Sequence, residues 1–394
     1  MTAGTTTLGA NTTLASLNLQ NADAANGQGL DLGGHSLVLT TGGILSSGAG
    51  NSALQGGDLS TPASEMVVVV NNALTMSSTL TNGGGTTTLI KGGSGVLTLV
   101  GTNTYTGPTV IQQGTLVVAA DASLGLGSTI ELNGTLRAAG SFSSVRGFSP
   151  ASFGTIDTAG FDLAFSGANA SGFTKSGFGT LTLSSPVAGT TTVTAGVLVL
   201  THPSSGTVKL QGGTLQVAGV LTELDGPAVP GAAVLDIGGP AASSLTTGTF
   251  GQSSTGSLHV MFGIGAAGSD SWLTGGSLPI NAGALQFEFQ NLGGVTTGVD
   301  YPLISFITAT PSVNTFALSP ESAAAGWAGT FKVTAGINGQ PGLVTVRFTS
   351  VPVPEPSGMV LALVGGTLLA SAQRCVIKRR RRCISQRAAG SGRA

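Results

Sequence analysis

Apolar and polar residues alternate in short runs along most of this chain, and each run ends at glycine. In the stretch STIELNGTLRAAG from Ser128, the residues Ile130, Leu132 and Leu136 share one parity, while Glu131 and Arg137 fall on the other. Val208, Leu210, Leu215 and Val217 repeat this arrangement, with Lys209 and Gln216 on the opposite side. A period of two over a few residues predicts strands with one buried face. Between the strands sit Gly pairs or Asn-Gly, which supply the positive φ of a tight corner without a Cβ penalty. Strands this short do not build a flat sheet of ordinary width. They predict a coil whose turns stack along an axis, with small inward Leu and Val forming a ladder.

The same units recur. KGGSGVLTLVGTNTYTGPTVIQQGTLVVA from Lys91 aligns with KSGFGTLTLSSPVAGTTTVTAGVLVL from Lys175, and each is followed by a second unit, STIELNGTLRAAG or GTVKLQGGTLQVAG. LDLGGHSLVL from Leu30 and NAGALQFEF from Asn281 are weaker relatives. Coiling of most of the chain at roughly twenty-odd residues and about 4.8 Å per turn predicts a rod on the order of 70 to 80 Å with a narrow core.

Composition excludes the alternatives. With 64 Gly and 16 Pro among 394 residues, a mainly helical fold is ruled out. At 41% hydrophobic and 8% charged, the chain is too apolar for a disordered linker. A Gly-X-Y period is missing, and the two cysteines, Cys375 and Cys383, make no disulfide framework. The formal charge of -1 conceals an asymmetry: eight of the fifteen Lys and Arg lie from Arg374 onward, whereas all sixteen Asp and Glu lie at or before Glu355. Residues 1–373 therefore carry sixteen acidic against seven basic side chains, a net -9 with no general affinity for nucleic acid.

The segment GSGVLTLVGTNTYTGPTVIQQGTLVV resembles the autotransporter-associated β-strand repeat. The second copy keeps the Lys-x-Gly-x-Gly start and loses the Asn-Thr-Tyr-Thr-Gly corner. The resemblance implies an all-β, right-handed parallel β-helix (β-solenoid) rod at a bacterial surface. Its expected corner residues are Gly93, Gly95, Asn103, Tyr105, Gly107 and Gly114 in the first copy, and Gly177, Gly179 and Gly196 in the second. Residues 1–217 are assigned to this repeat region, and 218–350 to a less regular C-terminal β region open to continuing the solenoid. Full autotransporters end in a membrane barrel of long alternating strands, and none follows here. Self-secretion is therefore not expected.

The C-terminus reads VPVPEPSGMVLALVGGTLLASAQRCVIKRRRR. It resembles the PEP-CTERM sorting signal over 351–382: Pro354, Glu355 and Pro356, an apolar span from Ser357 to Ala372, then Lys378, Arg379, Arg380, Arg381 and Arg382. The physical reading is one C-terminal transmembrane helix, slightly short but extendable as Gln373 and Arg374 snorkel. The basic cluster holds that end and the tail 383–394 in the cytoplasm, leaving the acidic body outside. The resemblance adds an exosortase-type peptidase as processing partner. MTAGTTTLGANTTLASLNL carries neither a basic n-region nor an apolar h-region, so export is expected to depend on sequence upstream.

Candidate chemistry is sparse. Gly263-Ile264-Gly265-Ala266-Ala267-Gly268, with Glu288 twenty residues on, has the form of a dinucleotide fingerprint. At this glycine content about one to two such matches arise by chance, and no helix follows to hold a pyrophosphate. Glu288 is expected to point outward from the strand Leu285 to Phe289. His35, His202 and His259 lack partners at metal-ligand spacing, so no metal site is expected. Glu223 and Asp225 read as solvated loop residues. Tyr105 and Thr106 read as structural.

The function these features predict is an exported, non-enzymatic structural or adhesive protein with no catalytic residue or cofactor, touching the membrane through its C-terminus and extracellular polysaccharide through its polar faces. One alternative is a β-helix lyase or hydrolase, which needs ionisable side chains from several turns converging in a groove. Another is an anchored glycan-binding module using Trp272 and Trp327.

Overall fold

A computed structural model describes residues 4–352 apart from 23–26, 150–152, 170–171, 203, 218, 226–232, 238–243, 252–257, 266–267, 270, 275–284, 307–315 and 337–340. The chain divides into two units, Met1–Pro352 and Val353–Ala394. The sorting signal and its apolar span lie outside the described residues; among these, no helix is long and apolar enough to cross a membrane.

The first unit is a parallel β-solenoid built on three faces. Among the described residues, sheet A has seventeen strands, parallel from Thr5–Thr7 through Asp300–Phe306 and antiparallel in its last two. Among the same residues, sheet B has nine strands in the N-terminal half, and sheet C has ten from Phe142–Ser144 onward. Strands of three to five residues recur because alternate apolar side chains can face a narrow interior only until the next glycine turns the chain. Inward residues then stack in register. Leu74, Leu97, Leu116, Leu136 and Ile156 form one such column on sheet A, and all are fully buried. Ile130, Leu132, Val208, Leu210, Leu215 and Val217 lie in this core as the alternation requires.

The corners use glycine in two ways. Gly114 and Gly196 both adopt φ of +69°, and a Cβ on either would collide with carbonyl oxygens of the preceding turn. Gly95 and Gly107 have no left-handed φ but pass too close to neighbouring backbone for any side chain. Asn103 is buried and ties adjacent turns: its amide nitrogen donates to Ser123 O at 2.7 Å, and its amide oxygen accepts from Leu80 N at 2.8 Å. Tyr105 is fully buried, its hydroxyl 2.7 Å from Thr109 Oγ1.

The two repeat copies are one face out of phase. In the first, the strand Thr88–Gly92 belongs to sheet B and Val96–Leu99 to sheet A. In the second, Thr174–Ser176 belongs to sheet A and Thr180–Leu183 to sheet C. The offset arises between Ala138 and Thr155, where Phe142–Ser144 starts a third side, sheet C, and Gly147–Phe148 adds a last strand to sheet B before the chain returns to sheet A.

Past residue 217 the coil continues with longer turns. Partners on adjacent rungs are Leu97 and Leu116 early on, but Leu245 and Trp272 later, which hides the period in the sequence. The described coil closes in antiparallel pairing of Asp300–Phe306 with Gly342–Ser350, and of that strand with Ala328–Thr334. The one-turn helix Pro320–Ala324, capped by Ser319 Oγ accepting from Ser322 N at 3.1 Å, packs beside an aromatic cluster of Phe287, Phe289, Trp327 and Phe348. Reversed strand direction and aromatic bulk close a stack whose last rung would otherwise leave its core uncovered.

Candidate functional site

A cleft lies where the coil changes phase. Sheet C begins with Phe142–Ser144, and the 3₁₀ turn Asp121–Leu124 sits beside that first strand. Outward residues of three successive strands, Ser143, Ala164 and Thr182, stand in register along the floor. Next to them Ser141, Asp162 and Thr180 form a hydrogen-bonded row. Asp162 N donates to Ser141 Oγ at 3.0 Å, and Thr180 N donates to Asp162 Oδ1 at 2.8 Å. This open cleft encloses about 440 Å³. A second hollow of about 220 Å³ shares Ser143 and Ala164 with it and adds Asp121, Val145, Ser166 and Ser184, so the two form one groove.

One wall is anchored by Arg146. Its side chain is 5% exposed and pairs with Asp121, while its guanidinium also donates to Gly125 O and lies 3.4 Å from Ser144 Oγ. Asp121 is thereby neutralised, and Asp162 makes no ion pair among the described residues. At the corner leading from sheet A into the groove, Phe161 is 37% and Phe178 is 72% exposed.

A second group of ionisable residues lies farther along the same sheet. Asp236, Met261 and Glu288 stack outward in register, so the carboxylates are two rungs apart. The Glu288 carboxyl is held above its ordinary value, first by burial and then by Glu321, with Asp236 adding and His259 opposing. Asp236 already accepts a 3.1 Å hydrogen bond from Gln216 Nε2. Among the described residues no group of three or more His, Cys, Asp or Glu is placed to hold a metal ion.

Two lysines carry chemistry that their sequence positions did not announce. Lys91 and Lys175 point inward and are fully buried. Lys91 Nζ donates to Gly92 O and Gly93 O at 2.8 Å and to Gln113 O, one turn on, at 3.0 Å. Lys175 Nζ donates to Ser176 O, Gly177 O and Ala195 O at 2.8 to 3.0 Å, and to Thr158 Oγ1 at 2.9 Å. Burial brings each from 10.5 to about 8, with Asp157 opposing at Lys175. The available signal was parity: Leu89 and Lys91 share it, and Leu89 is a core residue.

Other expectations are corrected or placed. Trp272 and Trp327 do not face solvent: they are 0% and 4% exposed, and Trp272 Nε1 donates to Thr247 Oγ1 at 2.9 Å, so neither offers a ring to a ligand. Glu223 and Asp225 lie in the strand Gly219–Asp225 rather than in a loop, because its backbone pairs on both sides. The glycine motif at 263–268 spans the end of the strand Leu258–Gly265 and the start of an antiparallel partner, Gly268–Ser269. Glu288 does alternate outward between buried Phe287 and Phe289. His202 is exposed in a turn, its Nδ1 3.0 Å from Thr201 Oγ1.

The family model for the passenger-associated-transport-repeat matches residues 89–118 and 173–200, the two Lys-x-Gly-x-Gly units. Over 103 residues the chain is 41% identical to the Adhesin BmaC autotransporter of Brucella suis biovar 1 (strain 1330). That match covers 24% of this chain and spans only 3% of the relative's length. No solved structure matches. The chain thus carries two passenger-associated-transport repeats within a longer parallel β-solenoid.

Proposed function

We propose that the protein is an exported, non-enzymatic surface or matrix protein that adheres through the outer faces of its solenoid. The observation carrying this reading is the pair of passenger-type repeats, similar to part of an autotransporter adhesin, inside a coil whose outward positions are mostly Ser, Thr, Asn and small apolar residues. A stack of short rungs is suited to many weak contacts in parallel, since each turn presents the same few outward positions. Of the two carboxylates in the groove, Asp121 is held by Arg146, which fits adhesion better than acid-base catalysis.

In the same reading, the C-terminal segment directs sorting. Pro354, Glu355 and Pro356 precede the apolar residues 357–372 and the basic residues Lys378 to Arg382, an arrangement that orients a span with its basic end inside. An exosortase-type peptidase would cut near Pro-Glu-Pro and release or re-anchor the body. Protease shaving of intact cells, with fractionation of the wild type and of a chain whose five basic residues are replaced by neutral ones, tests both parts. The expected result is a surface-exposed body and misoriented or unprocessed material in the variant. A body protected from shaving would overturn the surface assignment, and unchanged processing would overturn the sorting signal.

A further inference from the structure

We infer that the groove on sheet C, between residues 141 and 184, binds a neutral, extended glycan chain lying along the coil axis. The inference rests on the adhesive reading and names the ligand class of that site. Sugars present hydroxyls at their edges and C–H groups on their faces, and the groove offers the complement of both. Ser141, Ser143, Asp162, Thr180 and Thr182 supply hydroxyls and a carboxylate, and Ala164 leaves the centre of the floor flat. Phe178, 72% exposed at the adjoining corner, presents an aromatic side chain of the kind that packs on sugar C–H faces.

Charge selects among glycans. The residues lining the groove include two aspartates and no Lys, Arg or His. Asp121 is compensated by Arg146, which leaves Asp162 as the carboxylate without a basic partner among the described residues. A uronate, sulfate or phosphate polymer would meet like charge there, whereas neutral sugar hydroxyls can donate to it. Spacing points the same way. Ser143, Ala164 and Thr182 recur once per rung, about 4.8 Å apart. An extended β-linked glycan advances by close to that distance per sugar, so consecutive sugars meet equivalent positions.

The test is calorimetric titration of the full chain with cello-, chito-, xylo- and manno-oligosaccharides, with alginate as the polyanionic comparison. One neutral series is expected to bind, more tightly as its length approaches the three-strand span. Phe178→Ala is expected to weaken binding about tenfold. Ala164→Arg, which fills the floor from an outward position, is expected to abolish it, and Asp162→Asn, which keeps the acceptor for Thr180 N, to weaken it. Thr115→Ala on sheet A should bind as the wild type does. Absence of binding by every neutral series, wild-type binding by Ala164→Arg, or equal affinity for alginate would each overturn the inference. A chain that is shaved from the cell surface and adheres, yet binds no neutral glycan, overturns this inference alone; a chain protected from shaving overturns the reading beneath it.

Discussion

Lys91 and Lys175 hold the same place in the repeat but stand on different faces of the coil. Lys91 continues the inward column of sheet B between Val68 and Ile111, and Lys175 interrupts that of sheet A between Ile156 and Val193. Each ammonium replaces an aliphatic side chain and binds carbonyls of its own turn and of the next. The lysine therefore clamps turn to turn on either face: the corner that follows it supplies two carbonyls, and the next turn supplies the third, Gln113 O or Ala195 O.

Lys91→Met and Lys175→Met keep the apolar stem and remove the ammonium, leaving partly buried carbonyls without their donor. Each substitution is expected to cost about 1–3 kcal/mol, with Lys175 the larger because it also bonds Thr158. Denaturant melts of the purified chain measure this. Wild-type stability in both variants would show that the clamp contributes nothing.

The same lysines set a pH dependence. With values of about 8 when folded against 10.5 ordinarily, they bind fewer protons in the folded chain than in the unfolded one across that window. Stability attributable to them therefore rises as pH goes from about 8 towards 10.5, and is flat below it. The Lys91→Met, Lys175→Met double variant should lose this rise, as read from Tm against pH.

Glu288 works in the opposite sense. Its carboxyl is raised by burial and by Glu321, so the folded chain favours its proton and loses that stability as pH climbs through the folded value. Glu288→Gln should raise Tm at pH 7 relative to the wild type and change little at pH 4. A lower Tm at pH 7 would mean that the ionised group has a compensating partner.

Gly196→Ala places a Cβ in a left-handed backbone at φ +69°, facing the carbonyl oxygens of Gly177 and Gly179 and the Lys175 ammonium. The cost should exceed about 1 kcal/mol. Gly34→Ala is the comparison: its φ is also positive, at +80°, but the space beyond it is open, so it should cost less.

Both tryptophans are buried, so intrinsic fluorescence should be blue-shifted, poorly quenched by acrylamide and unmoved by glycan. Strong quenching in the folded chain would contradict their placement.

Alternation separates Ile130 from Glu131, because a strand with one buried face has no other way to satisfy both. Glu223 and Asp225 form a charged pair before GPAVPG that reads locally as a loop, and only their parallel neighbours, sixteen or more residues away in sequence, make it a strand. Lys91 marks the start of a repeat in the sequence, but its place in the core makes sense only once the carbonyls around its ammonium are placed.

By itself the sequence determined the coil: period-two alternation, glycine at the corners and the recurrence of the repeat leave few other ways to bury the Leu and Val side chains. Only the tertiary structure decided which face each copy occupies, and with it the groove. Ser143, Ala164 and Thr182 lie far apart along the chain and meet because the extra strand at Phe142–Ser144 opens a third side of the coil. Register between turns is set by where each corner returns the chain to its parallel neighbour about one turn away in sequence, and no pattern within a single strand specifies that.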